Sequence, residues 1–288
     1  MANLDTLIAE IWAASFLANL DNNLVFGNTI NRDYQSDLSY GNVVNVDKIG
    51  AVTIGDYTKN TDMDAAEALT ATQSTLTIDQ QKYFNMQVDS IDEAQSRPDV
   101  MNKAMERAAY SMALVVDAYL ASFYASAGNA IGVVGTPVAP DADTIYGYLT
   151  QAAQLLDEAN APTTDRYFVM SPAGIKLLRD SGEFLVATAQ GDVVRTTGGM
   201  GGSAPMPNGY VGMAGGFAIW SSNNTASSGT STSIWQAGHR MGVSMAESVN
   251  QIIGYQPELR FADAVRGLYV YGAAMLQPDA VVSMYTTL

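Results

Sequence analysis

Residue types able to do chemistry cluster in a few short stretches. NTINRDY, Asn28 to Tyr34, sets Asn31, Arg32 and Asp33 in a row: an amide, a guanidinium and a carboxylate. Such a triplet suits hydrogen bonding and ion pairing, in an active site or in a clasp between subunits. Gly242-Val243-Ser244-Met245-Ala246 has the form of a nucleophile elbow that lacks its last Gly. An elbow needs a His base and an acid later in the chain, and the one His, His239, precedes the Ser. Gly199-Met200-Gly201 with Ala204 matches GxGxxA, which cradles a pyrophosphate only where a strand runs into a helix. Pro205 and Pro207 forbid an immediate helix there, so the stretch reads as a loop. Asp62, Asp64 and Glu67 offer oxygens at Ca²⁺-like spacing, but an EF-hand loop needs more ligands and a Gly at its turn. They read as a solvated acidic loop tip. Asp141 and Asp143 read as charges at a helix N-terminus. No metal set, phosphate loop or triad emerges. The expectation is therefore a non-enzyme without a cofactor.

Composition narrows the class further. The 288 residues suffice for one large domain or two ordinary ones, and 48 % are apolar. Only 15 % are charged, against roughly 25 % in an average soluble domain. Two readings stay open: an uncharged polar or secreted surface, or a surface largely covered by other subunits, whose interface cores are poor in charge. The net charge of −15, with scattered Lys and Arg, opposes phosphate neutralisation and attraction to anionic lipid. The absence of Cys excludes disulfides, thiolate metal sites and a Cys nucleophile. No secretory signal is read, because Asp5 and Glu10 interrupt the apolar start. No apolar run approaches the ~20 residues of a membrane span.

The elements that must position these residues follow from periodicity. Leu4, Leu7, Ile8, Ile11, Trp12, Phe16 and Leu20 predict an amphipathic helix that must dock on its own chain or on a neighbour. Residues 41–57 and 76–91 read as strands; in the second, Phe84, Met86 and Val88 share one face. The simplest assembly is a two-stranded excursion with a polar tip, and a lone hairpin is marginal in water. Ser96, Pro98 and Asp99 signal the start of a long helix that Gly128-Asn129 ends, ~46 Å in length. Further helices are predicted over 143–159 and from Pro172 to Leu178, and short strands at 166–170 and 216–220. SSNNTASSGTSTS reads as a surface loop. The C-terminal third returns to strands. Strands dominate the ends, so the fold class is α+β rather than doubly wound.

This order of elements resembles the major capsid proteins of tailed phages, the Hong Kong 97 fold. The resemblance is carried by LVFGNTINRDY, GNVVNVDKIGAVTIGDYT, LTIDQQKYFNMQVDSIDEAQSRPDVM and RFADAVRGLYVYGAAMLQPDAVVSM. It implies an N-terminal arm at 1–40 and an extended loop with adjoining strands at 41–95, lying on a neighbour. It further implies a peripheral domain at 96–144 with a spine helix over 97–128, and an axial domain at about 145–250. Strands at 251–288 would return to the peripheral domain.

The implied function is a coat subunit that assembles with itself as pentamers and hexamers into an icosahedral shell around double-stranded DNA. The DNA would be enclosed without sequence-specific binding. Separate scaffolding and portal proteins would be partners, with decoration proteins a further option and no membrane. The location would be the virion, with assembly in the host cytoplasm. No scaffolding domain is expected to be fused to the chain. Lys48 and Lys59 lie in the excursion, but no acceptor Asn for a crosslink can be singled out. Trp12, Phe16, Asn31, Arg32, Asp33, Tyr34, Lys59, Asp62 and Asp64 are the expected interface residues, with Arg32 and Asp33 holding the junction between arm and loop. Two rivals are an encapsulin-type nanocompartment shell of the same fold and an extracellular hydrolase or adhesin.

Overall fold

The structure is a computed structural model. It describes residues 16, 19–20, 24–34, 43–49, 52–57, 59–60, 62, 65, 67–68, 71–89, 100–182, 208–259 and 262–288. Trp12, Asp64, the Ser96–Asp99 start signal and the Gly199–Ala204 pattern lie outside the described residues.

One long helix organises the first half of the molecule. After the single-turn helix α1 (Phe26–Thr29), helix α2 runs from Val100 to Ala121. Its residues Met105, Ala109, Met112, Ala113, Val116 and Leu120 recur at helical spacing, and all are buried. They pack against Phe16, Leu20, Leu24, Val25, Phe26 and Ile30, which precede the first strand. The same cluster takes Met245, Ile252, Val265, Tyr269 and Tyr271 from a three-stranded antiparallel sheet. That sheet has the order β10-β11-β3, with β3 Gln80–Asp89, β10 Val243–Tyr255 and β11 Ala262–Met275. The alternation read in β3 holds: Phe84 and Met86 turn to the helix, while Tyr83, Asn85 and Gln87 face solvent.

α2 is shorter than its apolar pattern. Its 22 residues span about 33 Å, and a 3₁₀ turn, Ser122–Ser126, follows before Gly128. Two side chains occupy carbonyls at this end. Ser122 donates to Tyr119 O, and Gln236 Nε2 donates to Ala121 O at 2.7 Å. Gly128 passes so close to Pro278 that an added Cβ would sit 2.9 Å from its carbonyl oxygen.

The second half is a seven-stranded sheet covered by two helices. Its strands are β4 (Asn129–Ile131), β5 (Arg166–Met170), β6 (Tyr210–Ala214), β7 (Phe217–Ser221), β8 (Ala226–Ser228), β9 (Ser231–His239) and β12 (Val281–Thr286). The order is β4-β12-β9-β5-β7-β6, with β8 on β9. β5 is buried along its whole length: Tyr167–Met170 form an apolar run suited to a central strand, and buried Arg166 pairs with Asp157 at 2.7 Å. Helices α3 (Ile145–Glu158) and α4 (Pro172–Asp180) lay Ile145, Leu149, Leu156, Ile175 and Leu178 on Phe168, Phe217, Trp235 and Met284. α4 starts directly over Trp235, because Gly174 has no Cβ to strike the indole at 2.4 Å.

Three expectations are corrected. Residues 76–91 are not one strand: β2 (Ala71–Thr77) pairs antiparallel with β1 (Val43–Ile49), and the chain turns at Ile78-Asp79 into β3. Gly272 permits the turn, since a Cβ there would lie 2.1 Å from Thr77 O. The Ser/Thr/Asn tract is not merely a surface loop. It contains β8 and the start of β9, and Ser231 and Ser233 are buried. The Ser233 hydroxyl is satisfied locally: its Oγ accepts from Trp235 Nε1 at 2.9 Å and lies 3.0 Å from Thr225 Oγ1. The C-terminal strands do not all share a sheet. β10 and β11 pair beside β3, whereas β12 inserts between β4 and β9.

Candidate functional site

NTINRDY lies where three elements meet. Asn31 is buried and pairs with β10: its N–H donates to Val243 O at 3.0 Å, and its carbonyl accepts from Met245 N at 2.9 Å. Its side-chain oxygen accepts from the Asp33 N–H at 3.0 Å, a local Asx turn. Arg240 Nε donates to Ile30 O at 3.2 Å. The junction is thus stitched to β10 and to the turn that precedes it.

Its other side is held by an acid that the apolar periodicity passed over. Asp117 lies on the buried stripe of α2, four residues after Ala113 and three before Leu120, with 1 % of its surface exposed. Its Oδ2 accepts from Val25 N at 2.8 Å and its Oδ1 from Gly27 N at 3.4 Å. It therefore serves the N–H groups that α1 cannot satisfy internally. Burial pushes the Asp117 carboxyl up to about 6, against the opposing pull of the Val25, Gly27 and Phe26 amides and the Arg32 charge. The Arg32 side chain lies over Gly27, its Nη2 3.1 Å from where a Cβ would stand. The signal for Asp117 was present in the sequence as one charged residue inside an apolar helical stripe.

The other expected residues are dispersed. Phe16 is buried in its own chain's core, its ring centroid 5.1 Å from that of Phe84. Of the two docking choices it takes its own chain. Tyr34 is half-buried against the small cluster Val44, Leu76, Ile78 and Ala246, which roots the β1–β2 hairpin on β10 and β11. Asp33, Lys59 and Asp62 are exposed. Beyond the hairpin root, residues 52–57 carry no regular structure, and Val52, Ile54 and Tyr57 are 56 %, 89 % and 69 % exposed. Glu67 reaches back to accept from Thr53 N at 3.1 Å.

A groove of ≈ 610 Å³ runs between β3 and α2. Phe84, Met86, Ala108, Met112 and Val115 form its apolar lining, and Lys82 and Arg107 also border it. The outer face of α2 continues this apolar surface, with Tyr110, Leu114 and Val115 exposed. By length and composition alone, Lys103–Ser126 is apolar enough to cross a membrane. Its inner stripe instead forms the core described above.

The hydrolytic reading is corrected by geometry. Gly242–Ala246 runs into strand β10, not into a sharp strand-to-helix turn. Ser244 is fully buried beside Asn31, and His239 Nδ1 already accepts the Met241 N–H at 3.2 Å. Burial also lowers the basicity of His239. Among the described residues, no group of three or more His, Asp and Glu could hold a metal ion.

A long helix against a three-stranded sheet, a projecting hairpin and a second lobe on its own sheet define a shell-forming coat subunit of α+β, Hong Kong 97-type fold. A family model described as phage capsid protein matches residues 71–284, and the chain belongs to that family. A solved structure from Mycobacterium phage Che8 is 27 % identical with a TM-score of 0.70, over 91 % of this chain and 90 % of that one. The capsid structure of cyanophage P-SCSP1u is 16 % identical, with a TM-score of 0.64 over 92 % of this chain and 88 % of that one. The mature capsid of bacteriophage PhiM1 is 19 % identical, with a TM-score of 0.63 over 92 % of this chain and 87 % of that one. These last two share the fold. No curated protein sequence matches the chain. The chain is a major capsid protein of the tailed-phage type, a structural subunit of the virion shell that assembles with itself.

Proposed function

We propose that the chain forms pentamers and hexamers in which the β1–β2 hairpin and its tip lie on the neighbouring subunit. Residues 1–40 act as the arm, and α2 with the β10-β11-β3 sheet forms the peripheral domain. The seven-stranded sheet with α3 and α4 supplies most of the axial domain. The observation that carries this reading is the exposure of Val52, Ile54 and Tyr57 on a tip whose root is anchored in its own chain. Covering such side chains supplies ~1.5–3 kcal/mol each. The groove between β3 and α2 offers a complementary surface, with Lys82 and Arg107 facing the acidic Asp56 and Asp62 of an incoming tip. Separate scaffolding and portal proteins act with it in the host cytoplasm. Double-stranded DNA is enclosed without sequence-specific contacts, as the net charge of −15 favours.

The test is Ile54→Asp, which alters an exposed side chain and spares the core. The subunit keeps the wild-type circular dichroism and melting temperature, and assembled particles disappear from the sedimentation profile. Particles formed at wild-type yield would refute the role of the tip.

A further inference from the structure

Asp117 is buried, yet among the described residues its direct partners are backbone N–H groups of one ten-residue strap. That strap, residues 24–33, crosses from α2 to β10 and is tied at both ends: Val25 and Gly27 to Asp117, Asn31 to Val243 and Met245. The Gly27 bond is long, at 3.4 Å. α1 contributes no titratable side chain. From the strap the only cation is Arg32, half-exposed and over Gly27, and Asp33 points to solvent. From the β9–β10 turn Arg240 is engaged on Ile30 O. A carboxylate in this setting has lost water, and the nearby Arg32 charge and the backbone amides only partly offset that loss.

We propose that docking of the strap on α2 is coupled to proton uptake by Asp117, so that the arm junction is held more firmly in mildly acidic solution and released more readily at neutral pH. A neutral carboxyl still offers oxygens to the Val25 and Gly27 amides and no longer carries a buried charge. Undocking exposes the group to water, where it ionises at its ordinary value. The direction follows from linkage: the docked state binds the proton more tightly, so raising pH shifts the balance toward the undocked strap. This makes the arm of a shell subunit responsive to its medium through one side chain.

Hydrogen exchange of the peptide spanning residues 24–30, corrected for intrinsic rates, tests the proposal on soluble subunits and on assembled particles. Protection at pH 5 is expected to exceed that at pH 8 by about tenfold in soluble subunits. The difference vanishes in Asp117→Asn. Arg32→Gln, which removes a cation favouring the charged form, moves the midpoint to higher pH. Should Asp117→Asn fail to fold, the Arg32→Gln shift decides alone. Protection that is flat with pH, that rises with pH, or whose midpoint ignores Arg32→Gln would overturn the proposal. None of these outcomes depends on the pentamer and hexamer arrangement.

Discussion

The Asp117 carboxylate takes the Val25 N–H at 2.8 Å across 92 positions of sequence. One acid on the long helix therefore fixes where the segment around Val25 joins the core. The bond caps α1 at the only end where its amides lack internal partners. The strap pairs with β10 at Asn31 while its N-terminal side is held on α2.

Replacing Asp117 removes two opposed contributions. Asp117→Ala strands the Val25 and Gly27 amides, at ~1–3 kcal/mol for each buried group left unpaired. It also relieves a buried charge whose ionisation at neutral pH costs about 3 kcal/mol. The carboxyl is raised from 3.8 to about 6, so its favourable contribution is complete below the lower value. It is lost as pH rises through the upper one. Urea unfolding of the soluble subunit should show Asp117→Ala as more damaging at pH 5 than at pH 8, by about 1 kcal/mol. Asp117→Asn should be the milder change at both.

Much of the framework is legible in the sequence. The β3 alternation, the apolar stripe of α2, the RYFVM core strand and the helices near 145 and 172 all follow from period and composition. The misses share a cause: each depends on a partner distant in sequence. Asp117 stands out in the sequence as a charge in an apolar stripe, but its role appears only when Val25 reaches it. The bend at Ile78 needs Gly272, and the end of α2 needs Gln236. A Ser-rich tract reads as loop until Trp235 and Thr225 supply its hydrogen bonds.

Gly272 is the pivot of the hairpin root. With Thr77 O standing 2.1 Å from a new Cβ, backbone rather than a flexible side chain would have to move. Gly272→Ala should cost about 2 kcal/mol or more, the scale of core overpacking, and should loosen β1–β2. Differential scanning calorimetry, with hydrogen exchange over 71–79, checks both parts.

Tyr271 carries the opposite expectation. Its ring is fully buried, tilted against Tyr269 and edge-on to Tyr119, while its hydroxyl has no hydrogen-bond partner among the described residues. Burial pushes the phenol up to about 12. Tyr271→Phe keeps the ring and deletes the unsatisfied group. It should leave stability unchanged or raise it by up to ~1 kcal/mol. A loss of 2 kcal/mol in urea titration would reveal a partner for the hydroxyl.

The central claim is that this chain builds a shell by laying its hairpin tip on the next copy. Electron microscopy of particles assembled from the purified chain tests it most directly. Closed icosahedral shells are expected, in which Val52, Ile54 and Tyr57 are covered by the groove between β3 and α2 of an adjacent subunit. A chain that stays monomeric under all assembly conditions, or shells in which these three side chains remain in solvent, would contradict it.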